Sequence, residues 1–444
     1  MYLWILLWKY VKICTYLVFR RKYMALINKG IIDNVEAAYI ETYLRKNGLI
    51  PTEDEKGIQL ADWINTLIKT NIIEINTFEE FLFNELFWGK RKLIRIYQLG
   101  DINKIKYIED WKDSLEERYG VKKFNFNDIL GTHVKRQESR KIAAIHCEEN
   151  EKGEIARLQI LFVCYVEISD KNGYRDSCAY IPVDIDFLQR KMVLKAWNRQ
   201  GVIEQYRADT LTDGVKSIMC NLFGVITTDY KINHKKVLYS MSKGLVDNVY
   251  NKIPAFNQID LMQKCVDDFE QSILERLPIV HIDENEDGKK KIPQGVMEFS
   301  DEIKKAIERL AVSDYFFDRS YDEIWNMGIE AIIARIKFND SENILASLSG
   351  QDSEKPIFCS KTFMYLKKSM EDAKLVEKLW VVKKRSRGKI NIRYDATNEE
   401  YLGILIKFGV RYAEEDLDVA MEIYKEYESE ISRKIAIGNK RQVS

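Results

Sequence analysis

Ala156–Ser169 reads ARLQILFVCYVEIS, Asp170–Gly173 reads DKNG, and Tyr174–Phe187 reads YRDSCAYIPVDIDF. Two runs rich in aliphatic and aromatic residues flank four turn formers, the pattern of a β-hairpin. If DKNG closes the turn, Ser169 faces Tyr174. One face then carries Leu158, Ile160, Phe162, Cys164, Val166 and Ile168, and it meets Ala179, Ile181, Val183 and Ile185. A slip of one residue would send this whole set to the other face, so burial fixes the register. Met192–Trp197 extends the hairpin to a third strand, with Leu194 and Ala196 on the same face. Burying about six such side chains at ~1.5–3 kcal/mol each gives the sheet its own core.

Upstream the period becomes helical. Asn34–Asn47 is expected as a helix capped by Asp33 and ended by Gly48. Thr52 with Glu55, and Thr77 with Glu80, read as capping boxes that open two more helices. Lys92–Leu99 reads as a strand, and Glu109–Tyr119 as a helix closed by Gly120. Downstream, Leu211–Phe223, Asn233–Asn251 and Gln258–Arg276 read as helices. The charged stretch Glu284–Lys291 reads as a boundary. Beyond it, Ser300–Phe317, Tyr321–Phe338, Lys361–Lys378 and Asn398–Ile435 are expected as helices, with Ser341–Glu354 as a polar connection.

The expected class is α+β: a helical N-terminal region, a central antiparallel meander with helices, and a C-terminal helical domain bearing a winged-helix-like hairpin. The corresponding domains are 24–140, 141–290 and 291–444, after an apolar segment 1–23.

Length and charge bound the function. A chain of 444 residues has room for two or three domains. Lys+Arg and Asp+Glu are both 69, so the formal net charge is +0 and attraction to a polyanion must come from a local patch. The 7 cysteines contain no CxxC pair, which argues against a disulfide framework or a zinc ribbon and suits a cytoplasmic protein. Met1–Phe19 is almost wholly apolar but broken by Lys9 and Lys12. Each lysine near the centre of a membrane span costs roughly 2.5–3.5 kcal/mol. A start at Met24 is therefore favoured over a packed helix or a membrane anchor, and membrane association is the second expectation for location.

One stretch names a partner. Leu379–Tyr394 reads LWVVKKRSRGKINIRY, two β-like runs around a basic turn. Lys383, Lys384, Arg385, Arg387 and Lys389 fall within seven residues, and Lys361, Lys367, Lys368 and Lys374 precede them on a helix. A helix followed by a cationic hairpin is the order of a winged-helix module, whose wing lies along a phosphate backbone. The expected function is a non-catalytic subunit that binds DNA or RNA, or serves as a scaffold for protein partners, beside a separate enzyme. Charge at a hairpin tip also prevents edge-to-edge aggregation without any ligand.

Two further readings compete. Asp184 and Asp186 project from one strand face, and the register sets Lys195 opposite Asp184 and Arg157 opposite Asp186 or nearby. Two carboxylates and a lysine are the parts of a nuclease or phosphodiesterase dependent on Mg²⁺ or Mn²⁺. Cross-strand ion pairs worth ~0.2–1 kcal/mol explain the same residues and are preferred, so no catalytic residue is assigned. A membrane-tethered interaction protein rests on residues 1–19 alone. No GxxxxGK[ST], GxGxxG or GxSxG motif occurs. The four histidines are isolated apart from His146-Cys147, whose side chains leave a strand on opposite faces.

Overall fold

The hairpin that anchors the sequence reading forms with the expected register, Ser169 pairing with Tyr174 and Cys164 with Ala179. The structure, a computed structural model, describes residues 27, 29–49, 51, 58–89, 92–171, 173–284, 288, 290–293, 297–339, 345–350, 355–386, 388–407 and 413–442. The apolar segment 1–23, Met24, the Thr52–Glu55 capping box and Arg387 lie outside them. The chain divides into two compact units, 1–231 with 398–421, and 232–397 with 422–444.

The first unit begins with helices α1 (Lys29–Asn34), α2 (Ala37–Lys46), α3 (Leu60–Lys69) and α4 (Ile75–Asn84), the last running into a π-helical turn, Glu85–Gly89. Strand β1 (Leu93–Leu99) and helix α5 (Glu109–Tyr119) follow. Then come β2 (Phe126–Asn127), β3 (Arg140–Glu149), β4 (Ile155–Asp170), β5 (Gly173–Asp186) and β6 (Lys191–Ala196). Helix α6 (Ala208–Asn221) and β7 (Thr227–Thr228) end this part.

The second unit holds helices α7 (His234–Tyr250) and α8 (Gln263–Arg276), a small ribbon of β8 (Asp283–Glu284) and β9 (Lys290–Lys291), and α9 (Phe299–Tyr315). It continues with β10 (Ala331–Asn339), β11 (Leu345–Ser349), α10 (Lys361–Ala373), β12 (Lys378–Arg385) and β13 (Gly388–Asp395). Strand β14 (Tyr401–Lys407) then belongs to the first unit, and α11 spans Glu414–Gln442.

In the first unit the strand order is β14-β1-β6-β5-β4-β3-β2, antiparallel throughout, with β7 beside β1. The expected face of β4 and β5 is its core. Leu158, Ile160, Phe162, Val166, Val183 and Ile185 pack there with Trp111 and Leu115 of α5 and Leu211, Val215 and Met219 of α6. The opposite face is buried as well. Asn34 of α1 donates to the Cys178 carbonyl at 2.8 Å, and Phe83 of α4 stacks on His146 of β3 at 3.9 Å. Helices therefore cover the sheet on both sides. The nearly unbroken apolar run of β4 is the sequence mark of such double burial.

Some elements differ from expectation. Tyr321–Phe338 is not a helix: a 3₁₀ turn, Tyr321–Met327, ends at left-handed Gly328 (φ 74°), and β10 follows. AIIARIKF is rich in β-branched residues, which lose side-chain freedom in a helix and pack well on a sheet. Residues 398–435 likewise begin with β14 before the helix starts at Glu414. Ser341–Glu354, expected as a polar connection, contains β11. The basic hairpin exists as β12–β13, but it is not a free wing. In the second unit the order β11-β10-β12-β13 places β12 between two partners. Val381 and Val382, neighbours on β12, are both fully buried, so both faces of the strand are covered.

Candidate functional site

Asp184 and Lys195 meet, but not by the expected pairing. Asp184 lies opposite Val193, and Lys195 pairs with Ile94 of β1. Lys195 is two residues beyond Val193 on the same face, and its ammonium reaches back to 3.9 Å from the Asp184 carboxylate. Arg157 does pair with Asp186, yet its guanidinium bonds Asp184, Nε to Oδ1 at 2.9 Å and Nη2 to Oδ2 at 2.7 Å. It also bonds Glu414 at the start of α11. Asp186 stands at the strand end and accepts the Gln189 N–H at 2.8 Å, a turn-forming bond.

The π-helical turn closes this cluster. Lys195 Nζ lies 2.9 Å from the centroid of the Trp88 ring and 4.2 Å from that of Phe87. The Lys195 side chain is 0% exposed. Burial pulls its amine well below the ordinary lysine range, while Asp184 pulls it up. Burial raises the Asp184 carboxyl, but the Arg157 hydrogen bonds and the Lys195 charge outweigh it and hold the group below its usual value.

These residues do not fit a divalent cation. Both Asp184 oxygens already accept from Arg157, and the neighbouring ammonium would repel a metal. Among the described residues no group of three or more His, Cys, Asp and Glu side chains is placed to hold one. The cluster is a buried ion network.

The hairpin cations are brought near acids far away in sequence. Lys383 bonds Glu330, and Lys389 lies 3.4 Å from Asp322. On α10, Lys367 lies 3.1 Å from Glu308 and Lys368 2.7 Å from Glu302, both acids on α9. Arg385 is half-buried. Lys361, Lys374 and Lys384 are exposed, and Lys384 has no acid partner among the described residues.

A third region carries positive charge that the sequence reading passed over. Helix α5 ends at Arg118-Tyr119, and Gly120, in the left-handed region (φ 67°), turns the chain into Val121–Lys123. That segment, the loop before β3, the first residues of β3 and the last turns of α6 enclose a cleft of about 1190 Å³. Its lining includes Arg118, Lys122, Lys123, Arg140 and Lys141 against the carboxylates of Asp128 and Glu138. Lys141 pairs with Glu138 at 2.9 Å, and Lys122 reaches Glu116 only at 3.9 Å on an exposed surface. Among the described residues no carboxylate is in ion-pair range of Arg118, Lys123 or Arg140. Part of this charge offsets the carbonyl ends of α5 and α6, each equivalent to about half a negative charge. The remainder faces open space. The signal was present as the clusters Lys122-Lys123 and Arg140-Lys141, separated along the chain with no hairpin to join them.

Among the described residues no helix is long and apolar enough to cross a membrane. No protein-family model matches this chain, and the search of curated proteins returned no match.

Proposed function

We propose that this protein is a non-catalytic nucleic-acid-binding subunit that holds a phosphodiester strand in the cleft of its first unit. The observation that carries the reading is the surplus of cations there, five against two carboxylates, with three of the five free of ion pairs among the described residues. A neutral chain attracts a polyanion only where such a surplus survives folding. The volume exceeds the roughly 300–1,000 Å³ of small-molecule pockets, and the lining is more polar than the predominantly apolar walls of such pockets, which suits an open-ended ligand better than an enclosed metabolite. Arginine and lysine supply contacts to phosphates, and each one formed releases counterions.

The hairpin is a minor contributor in this reading, because Lys383 and Lys389 already face acids. The buried network at Asp184 supports the sheet.

Photocrosslinking of full-length protein to a thiouridine-containing oligonucleotide, followed by peptide mass spectrometry, tests the assignment. Adducts are expected in residues 118–142 and 214–222. Adducts confined to 378–395 would overturn it in favour of the hairpin, and the absence of any adduct would remove nucleic acid as the ligand.

A further inference from the structure

Arg140 is the first residue of β3 and the cross-strand neighbour of Cys164. Paired residues point to the same side of a sheet, and Cys164 belongs to the core face. Arg140 therefore rises on the side that α6 covers with Leu211, Val215 and Met219. The residue above it is Gly214, and a side chain there would oblige the guanidinium to shift. A Cβ added there would lie 2.7 Å from Arg140 Cζ and 3.1 Å from Nη1. Glycine is a poor residue for the interior of a helix. Room for the arginine gives its presence a physical reason.

The seat holds the charge without consuming it. Among the described residues no acid pairs with Arg140. The nearest candidate in sequence, Glu138, is taken by Lys141. The Cys164 thiol beside it is pushed up to about 12 by burial, so the arginine meets a neutral thiol and no thiolate. One side of Arg140 lies against the helix, and the residue lines the cleft with Ser139 and Ser217.

We propose that Arg140 is the phosphate anchor of the cleft, seated against Gly214 so that its guanidinium donates two parallel hydrogen bonds to one phosphate group. This rests on the reading of the cleft given above and adds a specific residue and ligand geometry to it. A planar fork set beside Gly214 and hydrogen-bonded to the Cys164 thiol suits bidentate phosphate recognition, and a lysine, a flexible point charge, does not reproduce it.

The test uses full-length protein, a fluorescein-labelled single-stranded oligonucleotide followed by anisotropy at several KCl concentrations, and inorganic pyrophosphate followed by calorimetry. Arg140→Gln should weaken oligonucleotide binding roughly 10- to 100-fold, as loss of a charge-assisted bond does, and flatten the log–log salt slope by about 0.7. Arg140→Lys should restore the slope and leave affinity impaired. Gly214→Ala, which changes no charge, should also weaken binding. Thermal melts establish that each variant folds, and if Arg140→Gln does not, Arg140→Lys carries the comparison.

Oligonucleotide binding by Arg140→Gln with wild-type affinity and slope would overturn the anchor and leave the cleft reading standing. Pyrophosphate binding that depends on Arg140, with no oligonucleotide binding, would keep the anchor and remove nucleic acid. Loss of neither ligand in any variant, or binding of neither ligand by the wild type, would overturn the anchor.

Discussion

The tip of the hairpin in the second unit (residues 383–389) and the cleft of the first each carry five Lys and Arg residues, and they differ in what folding places beside those residues. Around the hairpin and its preceding helix, Glu330, Asp322, Glu308 and Glu302 come back from other elements to face lysines. Around the cleft, Arg118, Lys123 and Arg140 keep no such neighbour among the described residues. A run of cations in a sequence therefore measures charge density along the chain, while a ligand meets the field that remains after distant acids are folded in. Screening sharpens this, since exposed charges act over only about 8–10 Å at ordinary salt.

The comparison is sharpened first at the most deeply buried charges, Asp184 and Lys195. Removing Asp184 leaves Arg157 and Lys195 without their shared carboxylate. Asp184→Ala is expected to cost about 3–5 kcal/mol, the range for breaking a buried pair, measured by urea unfolding. Oligonucleotide binding by the folded fraction should be unchanged. Loss of under about 1 kcal/mol would place the cluster with ordinary surface pairs.

A second test lies in the second unit, where His234 is buried and its Nδ1 lies 2.6 Å from the Tyr424 hydroxyl. Burial lowers its imidazole from 6.5 to about 4. Between those values the unfolded chain binds the proton and the folded one does not. Stability should therefore be full above pH 6.5 and fall by about 3 kcal/mol as pH drops to 4. His234→Gln should remove that part of the slope in denaturant melts across the range. An unchanged slope would mean that the ring titrates alike in the folded and unfolded chain.

The smallest effect is expected at the hairpin itself. Lys383→Ala, Lys384→Ala and Lys389→Ala together should change oligonucleotide affinity by less than about threefold and stability by about 0–1 kcal/mol per pair removed, since Glu330 and Asp322 are exposed partners. A tenfold loss of affinity would return the hairpin to the centre of the account.

The sheet was legible because its signal is local and periodic: alternation on β4 and β5 with a turn sequence between them fixes which residues pair. Its double burial could be read from LQILFVCYVEI, yet only one face was assigned, because the covering helices lie far off in sequence. Tyr321–Phe338 misled because Ile324, Ile332 and Ile336 recur near helical spacing, while the pairing of β10 with β12 and β11 involves residues 345–383. Asp184, Lys195 and Arg157 lie together, but β6 is offset from the expected register by two residues, so Asp184 faces Val193 and the Lys195 ammonium reaches back to it. Lys383–Glu330, Lys389–Asp322 and the seat of Arg140 against Gly214 join residues 53 to 74 positions apart. No periodicity encodes them.

One measurement decides between the two cationic regions: salt titration of oligonucleotide binding by two triple variants of the full chain, Arg118→Gln/Lys122→Gln/Lys123→Gln and Lys383→Ala/Lys384→Ala/Lys389→Ala. The cleft variant should lose about two units of log–log slope for a single strand, and the hairpin variant should keep the wild-type slope. The reverse pattern, a flat hairpin variant and an unaltered cleft variant, would contradict the account.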